Sequence, residues 1–399
     1  MKKILCFLAF ALILSACHKE NLYTTAVKPV AGSIPVNDNH PMKDSLQAMV
    51  QKHIAYGVPG MQVMVKNADG WYVVNGGYAK IEDNIPMSDQ MSAWIYSISK
   101  TYLATIALRL KEKGLLTLDT LAKSYLPADI TNRLPNTDRI TVRQLLNHTS
   151  GLRNHTVESN YQLQVLNQPL KELSVREKLT YIYDKPALFS PGTDFFYTNS
   201  GYALLQLILE KVSGKTYAQL LHDEIIKPLE FKKTFYNLTP QQLIDVGAPN
   251  YYFERFNNAQ LENVTQWHNT IAHGLEGYGG IVANGTEVIR FMEALVNGEL
   301  LNAASLAEMR TWVTGKTSIE PDYGLGLVYW GQYNQQTPTL TYGHEGDCLG
   351  GSTQLLYVPA NDTYVFISIN AGRQVAGAYV GKVSSAASDV CRYVATWRQ

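Results

Sequence analysis

Ser97 and Lys100 stand three residues apart in YSISKTYLATIALRLKEKG (96–114), at the head of a stretch with helical apolar spacing. Residues three apart share a helix face, so a hydroxyl and an amine can meet there. Such a pair could make an activated nucleophile, because a serine is weak without a base beside it. Unpaired N–H groups in a helix's first turn also favour a developing anion. A lysine in that turn opposes the helix dipole, and a structural capping box would place Glu or Gln at position 100. The string Ser-x-x-Lys recurs by chance, so alone it is a weak signal.

Two further strings carry compatible chemistry. Tyr197-Thr198-Asn199 lies in PGTDFFYTNSGYALL, a Pro-Gly loop running into a helix, from which side chains can point into a cleft. As plain structure, Tyr197 reads as a core aromatic and Asn199 as a helix N-cap. His344-Glu345-Gly346 lies in YGHEGDCLGGST, at the close of a short strand, where glycines let another backbone approach. By itself His344 reads as a hydrogen-bonded structural histidine.

The elements that must position these residues follow from periodicity. Leu46, Met49, Val50 and Ile54 share a helical face that stops at Gly57 before Pro59. Strands over 61–67 and 71–79 flank Asp69-Gly70, a hairpin turn signal. A mainly helical region is expected over about 100–275, with helices ending in glycine at Gly114, Gly214 and Gly298. Strands return in YGLGLVYWG, TLTYGHEG, STQLLYVP and TYVFISIN, and a last helix covers roughly 377–397. This order excludes alternating βαβ units. It predicts an α+β fold: an antiparallel sheet completed by both ends of the chain, flanked by N- and C-terminal helices, with a helical region inserted.

The chain has 399 residues, 46% hydrophobic and 17% charged, with a formal net charge of +0. That balance gives no electrostatic attraction to nucleic acid or anionic membranes, so no nucleic-acid partner is expected. No Cys or His cluster has metal-site spacing, and neither a metal nor a cofactor is expected. Lys2 and Lys3 precede an apolar run from Ile4 to Leu14, too short to span a bilayer well. Leu14-Ser15-Ala16-Cys17 follows and resembles a bacterial lipobox. The resemblance implies export, cleavage after residue 16 and acylation of Cys17 as a membrane anchor. Plain secretory cleavage near Ala16 is the alternative. Residues 18–40 read as a flexible tether and 41–399 as one domain. Export permits a disulfide between Cys348 and Cys391, which the sequence leaves open.

Taken together in this order, the three motifs resemble the serine β-lactamase and penicillin-binding-protein superfamily. The nearest branch holds class C β-lactamases, D-alanyl-D-alanine carboxypeptidases and related esterases. ITVRQLLNHTSGL (140–152), YGGIVANGTEVIRFMEAL (278–295) and YGLGL (323–327) also read as family blocks, and the likeness runs from about residue 42 to 397. The resemblance implies an acyl-enzyme on Ser97, with Lys100 or Tyr197 taking its proton. Free pKa values of about 10.4 and about 10 leave neither ready near neutral pH, and the sequence does not choose between them. It further implies oxyanion donors at the N–H groups of Ser97 and Asp347, and substrate contacts from Asn199, His344, Glu345 and Gly346. Glu345 departs from the threonine common at its position. With Asp347 beside it, it would repel a substrate carboxylate, unless it simply turns to solvent. Esters, amides or D-amino-acid-containing peptides of the cell-wall type are therefore the expected substrates. A D-alanyl-D-alanine carboxypeptidase or class C-like β-lactamase is the alternative, and a non-catalytic penicillin-binding-like sensor stands further off.

Overall fold

A computed structural model describes residues 24–316, 322–331, 340–373 and 377–397. Twelve strands are described: β1 (Gly60–Asn67), β2 (Gly70–Lys80), β3 (Ile85–Pro86), β4 (Ser92–Trp94), β5 (Thr234–Tyr236), β6 (Tyr252–Phe253), β7 (Glu262–Asn263), β8 (Ile281–Asn284), β9 (Val328–Tyr329), β10 (Tyr342–Cys348), β11 (Gly351–Val358) and β12 (Thr363–Ile369). The six longest described helices are α1 (Lys43–Ala55), α2 (Ser99–Glu112), α3 (Asn199–Ser213), α4 (Thr265–Gly274), α5 (Gly285–Val296) and α6 (Ala378–Thr396).

The main sheet is antiparallel, in the order β3-β2-β1-β12-β11-β10-β9. The N-terminal strands are thus zipped to the C-terminal ones through Met61↔Ile369 and Val65↔Val365. Side chains alternate across a strand, and both faces of this sheet are covered. Val63, Val65, Leu356, Val365 and Ile367 pack with α1 and α6. Met64, Leu355, Tyr364 and Phe366 face the helical region, where α2, α3 and α5 supply the partners. The α+β reading, the 69–70 hairpin and both terminal helices agree with this architecture.

Three expectations need correction. The helical region also holds β5 and a β6–β7 pair, β5 joining β4 and β8 from its two borders in a small sheet, β4-β8-β5. Strands of two to four residues are too short for a period-2 signal to show. YGLGLVYWG yields only the two residues of β9. The tether is also shorter than expected. From Thr24 the chain is bound to the domain: Thr25 exchanges hydrogen bonds with Asn250, Val27 is buried, and the buried His40 stacks on Tyr72. The Ile4–Leu14 run and Cys17 lie outside the described residues. Cys348 and Cys391 are buried in two different hydrophobic clusters.

Candidate active site

The chain leaves β4 and makes a single tight turn, Tyr96–Ile98, before α2 begins at Ser99. Ser97 therefore sits on a strand-to-helix turn rather than within the helix. Tyr96 has a φ of 45°, an uncommon backbone for a bulky residue and a store of local strain. The turn is held around it. The Tyr96 hydroxyl accepts from His268 Nε2 at 3.0 Å, and Ile95 N–H bonds Ile281 O at 3.0 Å. Strand β10 crosses directly against the turn at Gly346. A Cβ there would stand 2.5 Å from Ile95 O and 2.9 Å from Tyr96 Cβ, so only glycine allows the approach. That crossing makes Ser97 and Asp347 the residues next along on each chain.

Lys100, one helical turn on, is fully buried beneath the half-open Ser97. Its Nζ lies 2.9 Å from Ser97 Oγ, 2.8 Å from Asn199 Oδ1 and 3.2 Å from Tyr278 O. Among the described residues no carboxylate reaches it. Burial alone pushes its pKa well below the usual 10.5, which favours the neutral amine. A neutral amine has two N–H donors and one lone pair. The Asn199 and Tyr278 carbonyl oxygens can only accept, so they take both hydrogens. The lone pair then faces the Ser97 hydroxyl, the geometry of a general base.

Asn199 opens α3, but the cap is Thr198, whose side chain accepts from Ser200 N–H. The Asn199 amide is thereby left for the site. Its Nδ2 donates to Thr156 Oγ1 at 3.3 Å, and Thr156 donates to Asn154 Oδ1 at 3.0 Å, which fixes the Asn199 oxygen toward Lys100. Tyr197 stands over Lys100, with its ring centroid 4.9 Å from Nζ. His148 lies against Tyr197 at 4.3 Å between centroids, and Tyr323 and His344 at 5.9 and 6.3 Å.

On β10, His344 is buried, bonded to Glu345 O and to the Tyr323 hydroxyl. Desolvation, aided by nearby Lys100, lowers its pKa to about 3. Glu345 and Asp347 neither turn freely to solvent nor stand as two bare charges. Arg373 pairs with both: Nε and Nη2 grip the Asp347 carboxylate at 2.8 and 2.7 Å, and Nη2 meets Glu345 at 2.6 Å. The trio carries a net charge of −1.

Ser97, Lys100, Tyr197, Asn199, His344 and Gly346 are thus brought together through a chain of contacts, with Glu345 and Asp347 next to them on β10. Sequence reasoning missed the Tyr278 carbonyl, Thr156, His148, Tyr323 and Arg373. The first is backbone and carries no side-chain signal. Arg373 had one: it ends an uncharged run from Thr363 through Gly372, with no acidic partner nearby in sequence.

The Beta-lactamase family pattern matches residues 46–382, most of the chain, and the chain belongs to that family. It is an enzyme of the hydrolase kind found there. It is 27% identical over 320 residues to penicillin-binding protein 4* of Bacillus subtilis, covering 77% of this chain and 67% of that one. The fold superposes on D-amino acid amidase from Ochrobactrum anthropi with a TM-score of 0.76, at 22% identity and over 90% and 100% of the two chains. It superposes on a D-stereospecific amidohydrolase from Streptomyces with a TM-score of 0.73, at 24% identity and over 86% and 97%. At these identities the two structures speak for the fold.

Proposed function

We propose that the chain is an exported, lipid-anchored serine hydrolase that cleaves amide bonds in small substrates or D-amino-acid-containing peptides through an acyl-enzyme on Ser97. The observation that carries this reading is the buried Lys100 amine, its Nζ within hydrogen-bond reach of Ser97 Oγ and of two carbonyl oxygens. In acylation Lys100 Nζ takes the Oγ proton as Oγ bonds the substrate carbonyl carbon. The proton passes to the leaving amine as the C–N bond breaks, with the Tyr197 hydroxyl as the group at hand to relay it. Water then attacks the ester, gives its proton back through the same groups and releases the acid. The N–H groups of Ser97 and Asp347 would stabilise both oxyanions, and Asn199 would hold the acyl-side amide.

Glu345 directs the reading toward amides and amine-bearing peptides. Arg373 is already shared between two carboxylates, and a third, from the substrate, would meet a net negative rim. The likeness to the D-amino acid amidase of O. anthropi supports the same class. Intact-mass spectrometry after incubation with esters, D-amino-acid amides, D-alanyl-D-alanine peptides and β-lactams tests it. An acyl adduct from the amides or esters, absent in Ser97→Ala, is expected. Preferential adducts from β-lactams or D-alanyl-D-alanine peptides would replace the amidase reading with the carboxypeptidase or β-lactamase one. For the anchor, metabolic labelling with an alkyne fatty acid should mark the chain and be lost in Cys17→Ser.

A further inference from the structure

His344 stands 6.3 Å from Tyr197 between ring centroids, yet its hydrogen bonds leave it nothing to offer a substrate. Its Nδ1 lies 2.6 Å from Glu345 O. A carbonyl only accepts, so Nδ1 carries the proton and Nε2 holds a lone pair. That lone pair is 2.9 Å from the Tyr323 hydroxyl, which must donate to it. Both side chains are buried, at 1% exposure each.

We infer that Tyr323 and His344 act as one positioning unit that orients Tyr197, and that His344 does not bind the substrate. The inference rests on the Ser97 chemistry proposed above. The rings make a closed cluster: Tyr323 meets Tyr197 at 5.9 Å and His148 at 4.5 Å, and both Tyr197–His344 and Tyr197–His148 are in contact. The backbone of Tyr323 is pinned by reciprocal bonds with Val313 at 2.9 and 3.0 Å. With that end fixed, the bonds to His344 and Tyr202 set where the Tyr323 ring lies, and the ring packs beside His148 against Tyr197. The third motif thus serves the second: its histidine fixes a tyrosine that fixes another tyrosine.

The test is a double-mutant cycle of Tyr323→Phe and His344→Leu, with His344→Gln as rescue, since an amide can accept from Tyr323 and donate to Glu345 O. Folding is followed by circular dichroism. Acylation is read as the labelling rate of Ser97 by a fluorophosphonate, and turnover with D-alanine p-nitroanilide. Each single variant should lower kcat roughly ten- to a hundredfold, with KM little changed. The double variant should be no worse than the single ones, and His344→Gln should recover most of the rate. A raised KM with unchanged kcat in His344→Leu, or additive losses in the double variant, would overturn the pairing. No labelling of Ser97 even in the wild-type chain would instead overturn the hydrolase reading, and the pairing with it.

Discussion

Lys178 gives a prediction whose size can be worked out. It lies in the short helix Val175–Leu179, is 2% exposed, and its Nζ has no hydrogen-bond partner among the described residues. Its nearest compensation is the Tyr278 ring, 5.9 Å from Nζ. Burial lowers its pKa from 10.5 to about 8, against the pull of Glu276, Glu177 and Glu172. At about 1.4 kcal/mol per pH unit, holding the charged form inside costs about 3 kcal/mol. A cation–π contact returns about 1 kcal/mol of that. Methionine fills nearly the same volume without the charge, so Lys178→Met should stabilise the fold by about 2 kcal/mol at pH 7. The sign follows from linkage. The folded pKa is depressed, so the cost is fully present below about 8 and vanishes as pH rises through the unfolded value of 10.5. Thermal unfolding at pH 7 should therefore show a Tm raised by a few degrees, and a gain that shrinks between pH 8 and 10.5. A variant no more stable at pH 7, or a gain independent of pH, would refute the reasoning.

Four further outcomes follow from the site. Ser97→Ala should abolish the acyl adduct, and Lys100→Ala and Tyr197→Phe should each slow acylation about a hundred- to ten-thousandfold; near-normal burst rates would remove that residue from the mechanism. Because Lys100 must be neutral to accept a proton, kcat/KM should fall as pH drops through its lowered pKa. No second limb from an imidazole should appear between pH 5 and 8, which a pH–rate profile measures. Gly346→Ala should push β10 off Ile95 O and cost about a hundredfold in kcat with an intact circular dichroism spectrum; wild-type kinetics would mean that the close approach is unimportant. Glu345→Thr should free Arg373 Nη2 from one of its two carboxylates and raise relative kcat/KM for carboxylate-ended substrates about tenfold; an unchanged preference assayed on matched amide and acid substrates counts against Glu345 as a selector.

Much of this was legible in the sequence for one reason: the chemistry needs fixed residue types at fixed local spacings. Ser97 and Lys100 are one helical turn apart, and Asn199 is placed by the start of α3. The hairpin at Gly70 and the terminal helices were equally local. What stayed hidden depends on contacts between segments far apart in sequence. Gly346 meets Ile95 across 251 positions by residue numbering, and Arg373 reaches Glu345 only because β12 and β10 flank β11. The reading of Glu345 and Asp347 as repelling a substrate carboxylate left out Arg373 on that account. The tether failed similarly, since only the fold shows Asn250 waiting for Thr25.

The histidines show how residue type and role separate. Besides His344, three more buried imidazoles, His148, His155 and His268, lie close to the site, and each is committed to a backbone or hydroxyl partner. His148 Nδ1 accepts from Thr198 N–H at 3.2 Å, and His268 Nδ1 accepts from Gly350 N–H at 2.9 Å. His155 lies between two hydroxyls, Ser200 Oγ at 3.0 Å from Nδ1 and Tyr278 at 3.2 Å from Nε2. The backbone N–H bonds to His148 and His268 each select one neutral tautomer, and desolvation lowers all four pKa values, those of His155, His268 and His344 to about 3. Burial disfavours a positive charge on all four. On the mechanism proposed above, the site would run its base chemistry on a lysine, because its four imidazoles are already engaged by backbone and hydroxyl partners.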